Sequence, residues 1–260
     1  MIRKHLRPRD RIGKPLTRTT SWRVVVGAAI FLLAAAGGSV FAGLIVWADL
    51  EAALFNPAIR GDTRIASVRC PMLLAWGETG TVSASFFNPG PNPTSPTVTL
   101  TRSRYSALYH EEELRRFQLD PGETVRLAWE VRGEAPSWGL FVLVHLYQHA
   151  SYPLRSASQS CGILVLDIPF ASGRTFAALV TAASAVGMAG GLLLHIRGAH
   201  RTTSGPARRR ARPHALGALG LLVLVAIAAG ALGWSLVGLA ALVLLVVLAI
   251  VMAALSLTGE

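Results

Sequence analysis

The chain contains four long uncharged apolar runs. Between the first and the second lies a segment in which apolar and polar residues alternate as they do in β-strands. The runs cover residues 24–48, 175–196, 215–232 and 236–255, and none contains Asp, Glu, Lys or Arg. A helix rises about 1.5 Å per residue, so runs of this length can cross a hydrocarbon core of about 30 Å. We predict four transmembrane helices, the last two forming a hairpin around the turn at residues 233–235.

The first run can be interpreted as an uncleaved membrane anchor or as a cleaved signal sequence. Signal sequences have an apolar stretch of about 7–15 residues followed by a small-x-small cleavage site. The run at 24–48 is longer, and Val46-Trp47-Ala48 is a poor cleavage site. The anchor is the favoured interpretation.

The central segment, residues 70–168, predicts an all-β domain inserted between the first two helices. Residues 124–131 alternate through Val125, Leu127, Trp129 and Val131, and 81–87 alternate in the same way. The nearly continuous apolar run at 140–147 predicts a central strand covered on both faces. Further strands are expected at 70–76, 97–101, 114–119 and 161–166, whereas residues 105–113 are ambiguous. About seven short strands at this spacing favour an immunoglobulin-like β-sandwich.

Two turn motifs in this segment carry a family resemblance. A strand ends in Asn88-Pro89-Gly90, and later Leu119-Asp120-Pro121-Gly122-Glu123 leads into an alternating strand. In this respect residues 81–131 resemble bacterial extracytoplasmic immunoglobulin-like modules, including CARDB-type adhesion modules. The resemblance implies a β-sandwich with an adhesive or structural role. This chain departs from most such modules because membrane spans flank it on both sides.

Composition and charge support a membrane protein and set its orientation. The chain has 260 residues, 52% hydrophobic and 15% charged, against about 25% charged residues in soluble domains. Of the net charge of +11, residues 1–23 contribute eight basic residues against one acid, and 197–214 contribute six against none. The positive-inside rule predicts a basic cytoplasmic tail at 1–23 and a basic cytoplasmic loop at 197–214. Both termini are then cytoplasmic.

The same rule places the β-domain on the outer side of the plasma membrane. We expect the cell to be bacterial. Residues 49–69 connect the first helix to this domain. Basic residues concentrated beside apolar helices disfavour nucleic acid as a partner, because nucleic-acid binding needs a basic face with groove-reading or stacking elements.

The two cysteines, Cys70 and Cys161, bracket the predicted β-domain. In an oxidising compartment they would form a disulfide that closes a loop of about 90 residues, stabilising the fold by up to about 4–5 kcal/mol in the chain-entropy model. The alternative is a pair of free buried thiols.

Small residues at fourfold spacing predict helix-packing faces in the membrane. They are Gly38 and Ala42 in the first span, with Ala183, Gly187 and Gly191 in the second. Trp22, Trp47 and Arg174 flank these spans and are expected at the membrane interfaces.

The sequence contains no recognised catalytic motif, and no cofactor is expected. His145, His149 and His110 are weak candidates for metal ligands. His145 and His149 would share one face of a strand about 13 Å apart, so joint ligation would need a bend. The acidic triplet 111–113 lacks the pattern of a calcium loop.

Ion-coupled transport usually leaves ionisable groups in the membrane, and these spans contain no Asp, Glu, Lys or Arg. The sequence therefore favours a non-enzymatic membrane protein whose β-domain is a protein-interaction or structural platform. Its partners would be the lipid bilayer and either a membrane protein or further copies of itself. Two alternatives are an accessory subunit of a membrane enzyme or transporter complex and a ligand- or metal-sensing domain.

Overall fold

The computed structural model describes residues 22–56, 59–152, 154–202 and 206–257, with side chains omitted at 199–202, 206–213 and 256–257. Most of the predicted basic tail, residues 1–21, lies outside the described residues. The described residues form four helices, with eight strands between the first helix and the second. The helices are α1 (Trp22–Leu54), α2 (Gly173–Thr202), α3 (Pro206–Ala231) and α4 (Ser235–Leu257). The strands are β1 (Thr63–Arg64), β2 (Leu73–Ala75), β3 (Thr79–Phe87), β4 (Thr97–Arg104), β5 (Ser106–Arg116), β6 (Thr124–Arg132), β7 (Phe141–Gln148) and β8 (Ala157–Leu166).

The four helices are long and apolar enough to cross a membrane, as the sequence predicts. The ends of three of these helices differ from the ends of the apolar runs. α1 continues six residues beyond Ala48 and stops where Asn56 takes a left-handed conformation, φ 54°. α2 and α3 extend into residues 197–214, where a loop is expected. Proline is compatible with the first position of a helix, so Pro206 begins α3 rather than breaking it.

The β-domain has two sheets that share one core. One is a mixed sheet with the order β1-β8-β7-β4-β5, to which β2 adds beside β8, and the other is the antiparallel pair β3-β6. The core between them contains Val82, Leu100, Trp129, Val144 and Ile163. The sequence predicts about seven strands, and the structure has eight because Thr63–Arg64 also pairs. The ambiguous residues 105–113 and the strand predicted at 114–119 form the single strand β5, which ends at Arg116.

Parallel pairing of β1 and β2 with β8 follows from the path of the chain. α1 carries the chain along the sheet to its far end, so the strands that follow must run back toward the helix bundle. β8 runs in the same direction because it leads into α2. The mixed sheet therefore arises from the two helical attachments.

Strand β7 lies between β4 and β8 and is covered on both faces. Val142, Val144 and Leu146 face the shared core. Phe141 and Leu143 face α1, where they pack in a second cluster with Ile45, Ala48, Ala52 and Phe55 of that helix. The continuous apolar sequence of β7 reflects this double burial.

The helix bundle has its closest contact where α1 crosses α2. A Cβ atom at Gly191 would lie 2.6 Å from the backbone nitrogen of Phe31 and 2.7 Å from the carbonyl oxygen of Gly27. At Gly187, a Cβ would lie 2.7 Å from the Cβ of Ala34. At Gly191 this spacing requires glycine because the two helix backbones approach directly.

Adjacent glycines in α2 provide a matched test of this crossing. We expect Gly191→Ala to lower the free energy of unfolding of the bundle by about 1–3 kcal/mol, because the added methyl group overpacks the crossing. Gly190→Ala should be neutral or mildly stabilising, since nothing lies within 4 Å of its Cβ position and alanine favours a helix. Thermal unfolding in mild detergent measures both. Equal effects of the two substitutions would contradict the crossing.

Candidate functional site

The described residues contain no group of three His, Cys, Asp or Glu side chains that could hold a metal ion. The three candidate histidines have separate partners. His145 is buried, with Nδ1 2.8 Å from the hydroxyl of Ser160, and His149 lies 2.9 Å from the hydroxyl of Thr99. His110 faces Glu112 on the edge strand β5 at 3.6 Å. Each imidazole thus interacts with its own neighbours on the sheet.

Burial lowers the pKa of His145. The buried imidazole, in contact with Ser160 of β8, is a structural element of this sheet face. His149 stacks edge-on against Tyr147, with ring centroids 4.8 Å apart.

The acidic triplet of β5 is occupied by ion pairs. Glu111 binds Arg102, at 2.6 Å, and Arg104, and hydrogen bonds from both arginines lower its pKa. Glu113 binds Arg115 at 2.7 Å. These pairs lie at the surface, where solvent and salt screen them, so they contribute little to the stability of the fold.

The disulfide Cys70–Cys161 is present, with Cα atoms 6.5 Å apart and a sequence separation of 91. It joins β8 to the segment before β2. That segment also contacts the smaller sheet, because Arg69 and Ser83 exchange two backbone hydrogen bonds. The disulfide therefore ties β8 of the larger sheet to a segment that is hydrogen-bonded to the smaller sheet.

The two resemblance motifs converge at the end of the domain farthest from the helices. The Asn88 side chain is fully buried, donates to the carbonyls of Asn92 and Leu119, and accepts from the N–H of Gly90. The backbone of Asn88 bonds to Gly122 and Glu123. Gly122 has φ 73°, which explains glycine at that turn. These residues organise the loops at this end of the domain.

Of the predicted helix-packing residues, Gly38, Ala42, Gly187 and Gly191 lie at helix contacts. Gly38 lies against Ser184 and Val223, and Ala42 is fully buried. Ala183 instead lies exposed on the bundle surface, while its neighbour Ser184 is buried. The contact face of α2 thus includes two of the three predicted residues together with Ser184.

Trp22, Trp47 and Arg174, predicted at membrane interfaces, are exposed on the surface of the structure. The guanidinium of Arg23 lies 5.9 Å from the ring of Trp22. Arg174 is in the first turn of α2, beside the β-domain. Trp47 lies on α1 immediately before Ala48, the residue at which this helix contacts the sheet.

A contact between α1 and β8 was not anticipated from the sequence. A Cβ at Gly162 would lie 2.0 Å from the carbonyl oxygen of Ala48, so helix and strand backbones touch directly. The side chain of Asp49 accepts a hydrogen bond from the Gly162 N–H at 3.1 Å. A glycine inside an apolar strand is the signal that could have revealed this approach.

A second contact fastens α2 to the domain. One carboxylate oxygen of Glu78 accepts hydrogen bonds from the N–H groups of Ala75 and Gly173, each at 2.7 Å. Gly173 is the first residue of α2, and a negative charge is favourable at a helix N-terminus by about 0.3–1 kcal/mol. A Cβ at Gly173 would lie 2.3 Å from the carbonyl oxygen of Leu73. The domain therefore holds both helices at their backbones.

Strand β5 forms the open edge of the larger sheet. It is 11 residues long and pairs with β4, and no strand lies on its other side among the described residues. It exposes large side chains along its length, namely Leu108, Tyr109 and Leu114. A long edge with unpaired backbone groups can accept an added strand.

No family model matches the sequence, and no curated protein matches it. A β-glucuronidase from Bacteroides uniformis aligns with 37% of this chain at 15% identity and a TM-score of 0.29, and the alignment covers 12% of the enzyme. A superoxide reductase (neelaredoxin) from Ignicoccus hospitalis aligns with 41% of this chain and 82% of its own, at 8% identity and a TM-score of 0.30. A β-glucosidase from Listeria innocua aligns with 39% of this chain, and the alignment covers 15% of that enzyme, at 13% identity and a TM-score of 0.28. Likeness at this level transfers neither fold nor activity.

Substitution at the contact between α1 and β8 has a clear expected outcome. Gly162→Ala should lower the free energy of unfolding by about 3 kcal/mol or more, because the methyl group would collide with the Ala48 backbone. Gly43→Ala in α1 should change the free energy of unfolding little, because nothing lies within 4 Å of its Cβ position. Chemical denaturation in mild detergent, with the disulfide checked on a non-reducing gel, measures both. A Gly162→Ala protein as stable as the Gly43→Ala protein would contradict this contact.

Proposed function

We propose that this chain is a non-enzymatic multi-pass protein of the plasma membrane whose extracytoplasmic domain is a platform for protein interactions. In this proposal the domain is an immunoglobulin-like β-sandwich held by the disulfide Cys70–Cys161. Both termini and the segment between α2 and α3 are cytoplasmic.

The observation that carries the proposal is an open strand edge on a domain fixed to two helices. α1 touches β8 at Gly162, and Glu78 caps α2 at Gly173. Because both attachments are direct backbone contacts, the domain cannot swing freely on a tether. The edge of β5 is therefore presented at a fixed height and orientation, which suits recognition of another protein.

A partner that adds a strand to β5 would satisfy its unpaired N–H and C=O groups. Side chains exposed beside that edge, including Leu114, would contribute specificity. The partner could be a second copy of this chain or an extended segment of another membrane protein.

The surface of α4 supports an alternative, an accessory subunit of a membrane enzyme or transporter complex. Much of this helix is exposed apolar surface, from Leu236 to Leu255. Lipid alone can cover such a surface, and so can the helices of a larger complex. No arrangement of the three histidines favours a metal-sensing role, since they have separate partners.

The state of the cysteines tests the extracytoplasmic placement. In native protein purified without reductant, we expect Cys70 and Cys161 to resist alkylation, and reduction to change migration on a denaturing gel. The physical reason is that an oxidising compartment keeps the disulfide formed. If both thiols are freely alkylated before reduction, either the outside placement or the disulfide is wrong.

Site-specific photo-cross-linking tests the interaction surface. A photoreactive amino acid at Leu114, which is 65% exposed on β5, should give a higher-mass adduct in native membranes. The same group at Tyr152, which is 95% exposed outside the strands, should not. Mass spectrometry of the adduct then separates self-association from a partner chain. Adducts at Tyr152 but not at Leu114 would contradict the proposed edge, and a catalytic partner would favour the accessory-subunit alternative.

A further inference from the structure

Large exposed aromatic side chains are concentrated at one end of the β-domain. Trp76 follows β2, Trp138 precedes β7, and Phe170 lies between β8 and α2. Their exposed fractions are 55%, 71% and 95%. The C-terminal ends of β2 and β8 and the N-terminal end of β7 lie together at the same end of the strands. We call these three side chains the aromatic rim.

The aromatic rim lies next to the helix bundle. Trp138 and Phe141 line a shallow depression together with Trp47 and Glu51 of α1. Trp76 lies two residues before Glu78, whose carboxylate bonds to the first residue of α2. The rim is therefore at the level where α1 and α2 enter the domain.

The other two helices turn at the same level. Gly230 of α3 approaches Ile45, and Gly238 of α4 approaches Val46. Between these glycines lies the turn that exposes Trp234. Trp47 and Trp234 thus flank the end of the bundle that faces the domain.

The height of the bundle matches a bilayer. At the opposite end, Gly198 lies against Val24 of α1. From Val24 to Val46 a helix rises about 33 Å at 1.5 Å per residue, close to the thickness of a hydrocarbon core of about 30 Å. The aromatic rim, Trp47 and Trp234 then lie at one membrane interface, and Trp22 lies at the other.

A rigid turn holds Trp138 in its exposed position. Ser137 and Phe141 exchange backbone hydrogen bonds of 2.6 and 3.0 Å, and the N–H of Gly139 donates to Pro136 at 3.2 Å. Trp138 itself has φ 56°, a left-handed conformation that is unfavourable for a bulky residue. Such strain persists where the surroundings impose it and is typical of functional positions. The turn therefore directs the Trp138 side chain outward, where it contributes little to the core.

We propose that the aromatic rim inserts into the headgroup region of the outer leaflet of the membrane that the helices cross. Tryptophan favours this region because its ring has an apolar body and a polar N–H. The exposed guanidinium of Arg174, in the first turn of α2, is placed to meet lipid phosphate. Lipid is favoured over a protein occupant because the rim continues the level set by Trp47 and Trp234. The domain is then held on the membrane surface by lipid as well as by its two helices.

This inference rests on the membrane placement proposed above, and the chain contains a set of tryptophans that can test the two separately. Of the six tryptophans, Trp129 is fully buried in the β-core, and the other five are exposed. Trp129 is retained in every variant, so that the core is undisturbed. Three full-length variants carry exposed tryptophans replaced by phenylalanine: one keeps Trp138 and Trp129, one keeps Trp47 and Trp129, and one keeps Trp129 alone.

Each variant is reconstituted in phosphatidylcholine nanodiscs with or without bromine atoms near the headgroup end of an acyl chain. We expect bromolipid to quench the Trp138 variant to an extent comparable with the Trp47 variant, and to leave the Trp129 variant unchanged. Soluble acrylamide should quench Trp138 weakly in nanodiscs. Formation of the disulfide on a non-reducing gel confirms that each variant is folded.

The outcomes separate the two proposals. Quenching of Trp47 but not Trp138 by bromolipid, with Trp138 open to acrylamide, would overturn the inference alone, since the rim would face water. Protection of Trp138 from both quenchers would also overturn it, because a protein would then cover the rim. If bromolipid quenches neither Trp47 nor Trp138, the membrane placement itself is wrong.

Discussion

The direct contact between the backbone of α1 and strand β8 is the constraint on which the arrangement of the β-domain depends. Gly162 lets the helix approach until Ala48 lies against the strand, and Asp49 accepts the Gly162 N–H. Any larger residue at position 162 would push the two apart. Once the helix lies on the sheet, Phe141 and Leu143 of β7 gain an apolar cover on their outer face. One helix therefore serves both as a bundle helix and as the second layer of a sheet.

The topology of the domain follows from this docking. Since α1 carries the chain to the far end of the sheet, β1 and β2 return alongside β8 in parallel. β8 leads to α2, whose first N–H groups need acceptors. Glu78 supplies one of them from the turn after β2. The disulfide links β8 to the segment before β2, so the two attachments and the covalent bond act on neighbouring chain segments.

A domain fixed in this way has functional consequences. Two of its buried polar side chains, His145 and Asn88, make hydrogen bonds that organise the sheet face and the distal loops. Its accessible features are geometric: the unpaired edge of β5 and the aromatic end beside the bundle. Both features suit the proposed function, in which the protein positions a binding surface relative to a membrane.

Hydrophobic pattern alone predicted the four apolar helices and a β-domain between the first two, because length and periodicity follow from helix rise and strand alternation. It also predicted the strand buried on both faces, β7, since such a strand has no polar side. The helices α1, α2 and α3 extend beyond the apolar runs, because packing on the sheet and a proline compatible with the first helical turn continue them. Ala183 was assigned to a contact that Ser184 makes, since a fourfold stripe does not determine which side of a helix meets its neighbour.

The tertiary structure alone decided the contacts that hold the domain on the bundle. Asp49, Glu78 and Gly173 have no periodic or motif signal, because each acts on a partner more than 90 positions away in the chain. Local sequence records which residues are apolar and where the chain turns. It does not record which distant backbone will lie within 3 Å of a glycine, and that distance determines how this domain is attached to its helices.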